Sequence, residues 1–521
     1  MLVKTFSSTV FGIHASTIKI EVNLGIGINF YLVGLPDNAV KESHQRIKAA
    51  FANNNLKFPG REITVNMAPA DIRKEGSVFD LPIAIGILAV SEQVKTDFLD
   101  KYILIGELSL DGSIQPTKGI LPIAIQAKKE GFKGIIVPKL NAAEAAVVND
   151  LEVYGAENIL EVLSFFNSEE TTLKIEKIDV INQFERMNQT FDVDFKDVKG
   201  QLNIKRAFEI AASGGHNVIL IGPPGAGKSM LAKRLSTILP PMSLEEALET
   251  TKIHSVAGKI KGEIGLITQR PFRKPHHTVS DVGLIGGGSY PQPGEISLAH
   301  NGVLFLDELP EYKRQVLEVL RQPLEDRTVN ISRARFSVDY PAGFMLVAAM
   351  NPCPCGYFNH PEKECVCGPG VVQRYLNKIS GPLMDRIDLH IEVTPVNFDE
   401  LTANIPSEKS EEIRERVVIA REIQKKRYGN REGIHSNAQM NKKEVENYCK
   451  LDEVSLNILK SAMEKLGLSA RAYDRIIKVA RTIADLDESQ AIEAHHLAEA
   501  IQYRSLDKNM NSVSFTKPVL A

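Results

Sequence analysis

Tryptophan is absent, cysteine occurs five times in 521 residues, and neither sign of charge dominates: 62 basic and 65 acidic side chains leave a formal net charge of -3. With no overall basic signature, any nucleic-acid surface has to be a local patch. Long apolar runs are missing as well. The longest, residues 81–90, is about half of what spans a bilayer. Residues 1–23 interrupt their apolar stretches with Lys4, His14, Lys19 and Glu21, unlike the continuous apolar core of a secretion signal. These absences predict a cytoplasmic protein with no membrane segment. Four of the five cysteines crowd between Cys353 and Cys367, which is unlike a secreted disulfide framework and suits a metal knuckle or reduced thiols.

The remaining composition, 43% hydrophobic, 24% charged and 6% aromatic, is that of an ordinary globular protein. The length exceeds what one core fills and predicts about three domains. Residues 1–167 alternate short apolar strands, at 63–67, 103–105 and 135–137, with helical stretches, the pattern of an α/β domain. Residues 168–194 turn charged and polar and read as a linker. From 195 to 395, three near-continuous apolar runs (217–221, 303–306 and 344–350) predict a parallel sheet covered on both faces. Residues 396–521 read as a helical lid domain, with Tyr473, Ile476, Ile477, Ala480, Ile483 and Ala484 on one stripe behind a cap at Ser469.

Gly222, Pro223, Pro224, Gly225, Ala226, Gly227, Lys228 and Ser229 spell G-x-x-x-x-G-K-S between a strand-like and a helix-like segment. Glycines at that spacing let backbone N–H groups curl around a β-phosphate, and the following helix N-terminus favours negative charge. A lysine in this position reaches the β and γ phosphates and a serine holds Mg²⁺. The expected substrate is therefore ATP with Mg²⁺, bound through Lys228 and Ser229. The apolar run 303–306 ends in Asp307 and Glu308. Side chains alternate along a strand, so the two acids take different tasks: Asp307 in the Mg²⁺ shell and Glu308 aiming the attacking water. Asn351 closes the next strand, where its amide can position that water. Arg386 lies just before the apolar segment 389–393. It reads either as an arginine presented to a neighbouring subunit's nucleotide or as half of a surface pair with Asp388.

With Arg471 added, these residues resemble the Walker A, Walker B, sensor 1, arginine-finger and sensor 2 set of AAA+ ATPases. The segments Asn66-Met-Ala-Pro-Ala-Asp-Ile-Arg-Lys-Glu-Gly, Arg270-Pro-Phe-Arg-Lys-Pro-His-His, Asn351-Pro-Cys-Pro-Cys-Gly and Ser380-Gly-Pro-Leu-Met-Asp-Arg-Ile-Asp closely resemble the ComM/YifB family of magnesium-chelatase-like bacterial ATPases, over nearly the whole chain. The resemblance implies a Lon-protease-like (ribosomal S5 domain 2-like) domain at the N-terminus. It also implies a hexameric motor that drives DNA branch migration in homologous recombination and natural transformation. The Gly- and Pro-rich stretch 280–294 sits where related helicases carry a helix 2 insertion. Residues 329–338 alternate like a short hairpin with Arg333 and Arg335 on one face. Both features are candidates for a pore lining, with the arginines on DNA phosphates or simply solvated.

Other readings stay open. A Lon-type protease needs a serine nucleophile and a lysine base, yet motif comparison puts Val78 and Leu121 at those places, with Ser77 and Lys118 near in register. A magnesium-chelatase motor subunit shares the AAA+ core but is not expected to carry a Lon-like domain in front. A nucleotide-gated scaffold is the third alternative. Cys353, Cys355, Cys365 and Cys367 supply four soft ligands suited to tetrahedral Zn²⁺ or form a metal-free reduced loop, with His360 as a spare ligand. Cys449 reads as a small core residue. His276-His277 and His495-His496 lack partner spacing and read as plain surface.

Overall fold

In a computed structural model, the described residues are 2–168, 173–179, 184, 191–260, 265–288, 291–333, 336–358, 360, 362–368, 370–395, 407–429, 431 and 433–506. Most of the expected linker, and the start of the expected lid at 396–406, lie outside them. The first unit contains β1 (Leu2–Phe11), β2 (His14–Gly25), β3 (Phe30–Val33), β4 (Glu62–Ala68) and β5 (Tyr102–Leu104). A small pairing of β6 (Glu107–Leu108) with β7 (Ile114–Gln115) precedes β8 (Gly134–Pro138) and β9 (Glu152–Ala156). Seven of these strands form one sheet in the order β3-β4-β2-β1-β5-β8-β9. The helix α1 (Asn38–Asn53) and the wholly buried α2 (Asp80–Val90) share one cluster with Ile20, Val22, Val65 and Met67. Helix α3 (Ile120–Lys129) packs with Ile103, Ile135 and Val137 in a second. Leu121 is fully buried in that second cluster and Val78 packs against the core. The two positions that match a Lon dyad therefore hold apolar core side chains.

The central sheet is entirely parallel, in the order β11-β14-β17-β10-β18. Its strands are β10 (Val218–Ile221), β11 (Phe272–Arg273), β14 (Val303–Leu306), β17 (Met345–Met350) and β18 (Leu389–Glu392). Between β11 and β14, β12 (Gly286–Gly287) pairs with β13 (Gln292–Pro293), and β15 (Thr328–Arg333) with β16 (Phe336–Pro341) forms the expected hairpin ahead of β17. Both faces of the sheet are covered. Val218, Leu220, Phe305, Val347 and Ala349 face the helices α4 (Leu202–Gly214) and α5 (Lys228–Ile238), while Ile219, Leu304, Leu306, Leu346 and Ala348 face the opposite cluster. That two-sided burial is why these strands read as unbroken apolar runs. Each fully buried Val, Leu, Ile or Phe among them contributes roughly 1.5–3 kcal/mol, so a polar replacement there would destabilise the sheet.

The helical end of the chain joins the same core. Helices α7 (Ser410–Tyr428), α8 (Glu453–Leu466), α9 (Ala470–Leu486) and α10 (Ala494–Gln502) follow α6 (Leu244–Val256) and the sheet. Ser469 caps α9 by accepting from the Ala472 amide, and Ile476, Ile477, Ala480, Ile483 and Ala484 face the core as the stripe predicts. Cys449 is buried there too. The first unit docks on α6: Glu144 accepts from the Leu121 amide and the Ser255 hydroxyl, and the Gly119 amide donates to Ser255 O at 3.2 Å. Among the described residues no helix is long and apolar enough to cross a membrane.

Candidate nucleotide site

Parallel strands end at one edge of their sheet, and here the register puts Arg273 beside Leu304, Leu306 beside Ala348, and Ile221 beside Met350. The residues that follow, Lys274, Asp307, Asn351 and Gly222, consequently emerge together, in the crevice beyond the carboxyl ends of the strands where α/β sheets bind ligands. Gly225 and Gly227 have φ values of 81° and 83°, and a Cβ on Gly222 would sit 2.2 Å from Val393 O. The loop therefore needs its glycines. Helix α5 starts at Lys228 with its first amides lacking intrahelical acceptors, as any helix start does. Lys228 Nζ folds back to donate to Gly222 O at 2.7 Å, Pro223 O at 2.8 Å and Asn351 Oδ1 at 3.0 Å. Burial lowers its pKa, partly opposed by the charge of Asp307.

Ser229 Oγ donates to Asp307 Oδ2 at 2.6 Å, and Lys274 Nζ lies 2.9 Å from the same oxygen. Burial pushes the Asp307 carboxyl up, but these two donors and the Lys274 charge outweigh it and hold the group below its ordinary value. An oxygen pair this close, one hydroxyl and one ionised carboxylate, is a hard donor set of the kind Mg²⁺ takes. Glu308 adopts φ 53° and ψ 48°, a left-handed conformation costing on the order of 1–2 kcal/mol for an L-residue. Its side chain is 61% exposed, with Oε2 3.4 Å from His277 Nδ1. His277, with a 34% exposed side chain, thus stands at the surface beside Glu308. The pair His495-His496 is corrected in part, because His496 is buried and its Nδ1 accepts from the Glu493 amide.

Other predicted residues sit elsewhere. Arg386 has a 5% exposed side chain, paired with Glu325 at 2.6 Å and donating to Pro382 O at 2.6 Å. It borders a cavity of about 490 Å³ that Glu318, Arg321 and Asp326 also line. Its pairing with Asp388 on the surface is ruled out: Asp388 is buried, 3.2 Å from Arg475 Nη1, and accepts from the Asn217 amide. Arg471 is exposed in the first turn of α9. Arg335 and the side chain of Arg333 lie outside the described residues.

The four thiols of the cysteine loop converge. Their Sγ atoms lie within 4.8 Å of one another, with Cys353–Cys355 at 3.3 Å, Cys355–Cys365 at 3.5 Å and Cys353–Cys365 at 3.7 Å. Sulfurs about 2.3 Å from a tetrahedral zinc are about 3.8 Å apart, so the set fits that ion. Cys367 completes the four, whereas His360 Nδ1 accepts from the Glu362 and Lys363 amides. The loop also touches the phosphate loop, since a Cβ on Gly356 would meet Pro224 Cδ at 2.4 Å.

Three family models match: "Magnesium chelatase, subunit ChlI" over residues 194–401, "Subunit ChlI of Mg-chelatase" over 20–141, and "Magnesium chelatase, subunit ChlI C-terminal" over 407–504. The chain is 45% identical over 516 residues to competence protein ComM of Haemophilus influenzae, covering 98% of each. It is 43% identical over 500 residues to protein YifB of Escherichia coli, covering 95% of this chain and 96% of that one. The chain belongs to the ComM/YifB family of magnesium-chelatase-like AAA+ ATPases.

Within a ComM/YifB protein the site above lies in the region matched by the first family model. A shorter likeness, 29% over 189 residues, connects the chain with Lon protease 2 of Bacillus subtilis, covering 31% of this chain and 33% of that protein. Ser77, the serine nearest the matched nucleophile position, donates its hydroxyl to Glu107, and the Lys118 stem lies against Gly258. Sequence reasoning missed Lys274 and His277. Their signal was present in Arg270-Pro-Phe-Arg-Lys-Pro-His-His, a cationic run directly after a short apolar pair.

Proposed function

We propose that this protein is a hexameric, cytoplasmic ATPase that moves branched DNA, a branch-migration motor acting in recombination and natural transformation. The observation that carries the reading is the convergence of Lys228, Ser229, Asp307, Glu308 and Asn351 at one sheet edge. The relative named as a competence protein, which this chain matches over nearly its full length, supports a role in competence.

In this reading the loop 222–229 cradles the phosphates with backbone amides, and Lys228 turns from its carbonyl acceptors to the β and γ phosphates. Ser229 and Asp307 hold Mg²⁺, which when bound neutralises phosphate charge. Glu308 takes a proton from the attacking water while Asn351 fixes that water's orientation. Arg386 acts on a neighbouring subunit's nucleotide, and Arg471 reports the nucleotide state to the lid. The hairpin carrying Arg333 and Arg335 reaches DNA phosphates through the ring, and the N-terminal unit contacts DNA or partner proteins. Cys353, Cys355, Cys365 and Cys367 hold a structural Zn²⁺ that stiffens the loop against Pro224. Branch migration of a synthetic four-way junction tests the reading: it should require ATP and fail with Glu308→Gln.

A second reading, a magnesium-chelatase motor subunit, is favoured by the three matched models. The N-terminal unit does not argue against it, contrary to expectation, because residues 20–141 match a model of that name. ATPase activity indifferent to DNA, with no junction processing, would favour that reading over the motor.

A further inference from the structure

Both acids at the end of β14 have partners from one short segment. The edge strand β11 runs parallel to β14, so the residues after Arg273 pass directly in front of Asp307 and Glu308. Lys274 Nζ is 2.9 Å from Asp307 Oδ2 and lies over the Phe305 ring at 5.1 Å. Three residues on, His277 Nδ1 is 3.4 Å from Glu308 Oε2. The segment is held in place. Tyr312, itself buried, donates its hydroxyl to Pro275 O at 2.7 Å. The His277 ring lies against His276 with centroids 4.2 Å apart and meets the Tyr312 ring edge-on at 6.4 Å. His276 Nδ1 in turn is 2.9 Å from Thr278 Oγ1.

Glu308 needs such a partner more than Asp307 does. Asp307 is pinned by Ser229 and Lys274, whereas the Glu308 carboxylate is 61% exposed on a left-handed backbone and, among the described residues, has its ion-pair contact with His277. An exposed glutamate free to sample its rotamers aims water poorly, and a misplacement of about 1 Å can lower a rate on the order of 100-fold. We propose that His277 is a positioning residue for ATP hydrolysis: its ring, with Nδ1 3.4 Å from Glu308 Oε2, holds the carboxylate that takes the proton from water. The assignment rests on the ATPase reading and adds to it a residue that acts through Glu308.

The test compares His277→Ala and His277→Gln in the full-length protein, each also combined with Glu308→Gln, by steady-state and single-turnover ATP hydrolysis. His277→Ala should lower kcat about tenfold and leave KM for ATP within about twofold, because the lost contact orients the base and does not hold substrate. His277→Gln, which keeps a donor, should recover most of the loss. In the Glu308→Gln background His277→Ala should change nothing further, since the two residues act as one unit. An unchanged kcat, an equal loss in both backgrounds, or a KM that rises in step would overturn the assignment. A structural fault would also lower the thermal midpoint, which should stay at the unsubstituted value. If the unsubstituted protein does not turn over ATP, the motor reading itself fails and this assignment falls with it.

Discussion

Ser229 donates its hydroxyl to Asp307 across 2.6 Å, tying the first turn of α5 to the end of β14. That bond joins two segments 78 positions apart and gives the site its first prediction. Glu308→Gln removes the base and leaves the Ser229–Asp307 pair intact. Fluorescent-nucleotide titration should show affinity within about twofold of the unsubstituted protein, while turnover drops by about 10²–10⁴. Lys228→Ala should do the reverse and abolish binding itself.

Arg386 makes an intermolecular prediction. In a single chain it is paired with Glu325, so its proposed role requires it to leave that partner for a neighbouring subunit's nucleotide. Arg386→Ala should lower turnover by about 10³ or more with nucleotide affinity kept. Mixing Arg386→Ala with Glu308→Gln should restore activity, because each supplies what the other lacks. Mixtures no more active than either variant would place the arginine outside catalysis.

Stability should depend on pH through the buried node His216–Asp388–Arg475. His216 is fully buried next to Asp388 at 3.7 Å, and its Nε2 meets Thr482 Oγ1 at 2.8 Å. Burial lowers the His216 pKa below 6.5 despite Asp388. The unfolded chain then binds more protons than the folded one below that value, so stability is full above about pH 6.5 and falls as pH drops through it. For Asp388 burial acts upward, but Arg475, His216 and the Asn217 amide outweigh it and hold the carboxyl well below the usual range. Its contribution is present above about pH 3.8 and is lost on further acidification. Thermal midpoints should therefore decline in two stages, one below about pH 6.5 and one beginning below about pH 3.8, and Asp388→Asn should remove the lower stage.

The cysteine loop predicts bound metal. Gently purified protein should contain about one zinc per chain by elemental analysis, and Cys353→Ser should lose it. Zinc below about one tenth of an equivalent would mean the thiols are a reduced loop. Metal removal should also weaken nucleotide affinity, because Gly356 packs on Pro224.

Much of this was legible in the sequence. The strands of the central sheet are buried on both faces, so runs such as 303–306 and 345–350 stand out. The phosphate loop and the Ser469 cap announce themselves through residue type and spacing. What escaped was pairing between distant segments. Glu325 and Arg386 meet through tertiary packing alone. Lys274 and His277 reach the two acids only because a two-residue strand, β11, takes the edge of the sheet. Two residues are too few to carry a readable period.

The central claim is that ATP is hydrolysed at the edge formed by Lys228, Asp307 and Glu308 and that this drives DNA. Phosphate release measured with and without a synthetic four-way junction, alongside strand exchange on that junction, tests it most directly. The account predicts turnover stimulated by the junction, strand exchange that requires ATP, and loss of both with Glu308→Gln. Phosphate release that ignores the junction and survives Glu308→Gln would contradict it.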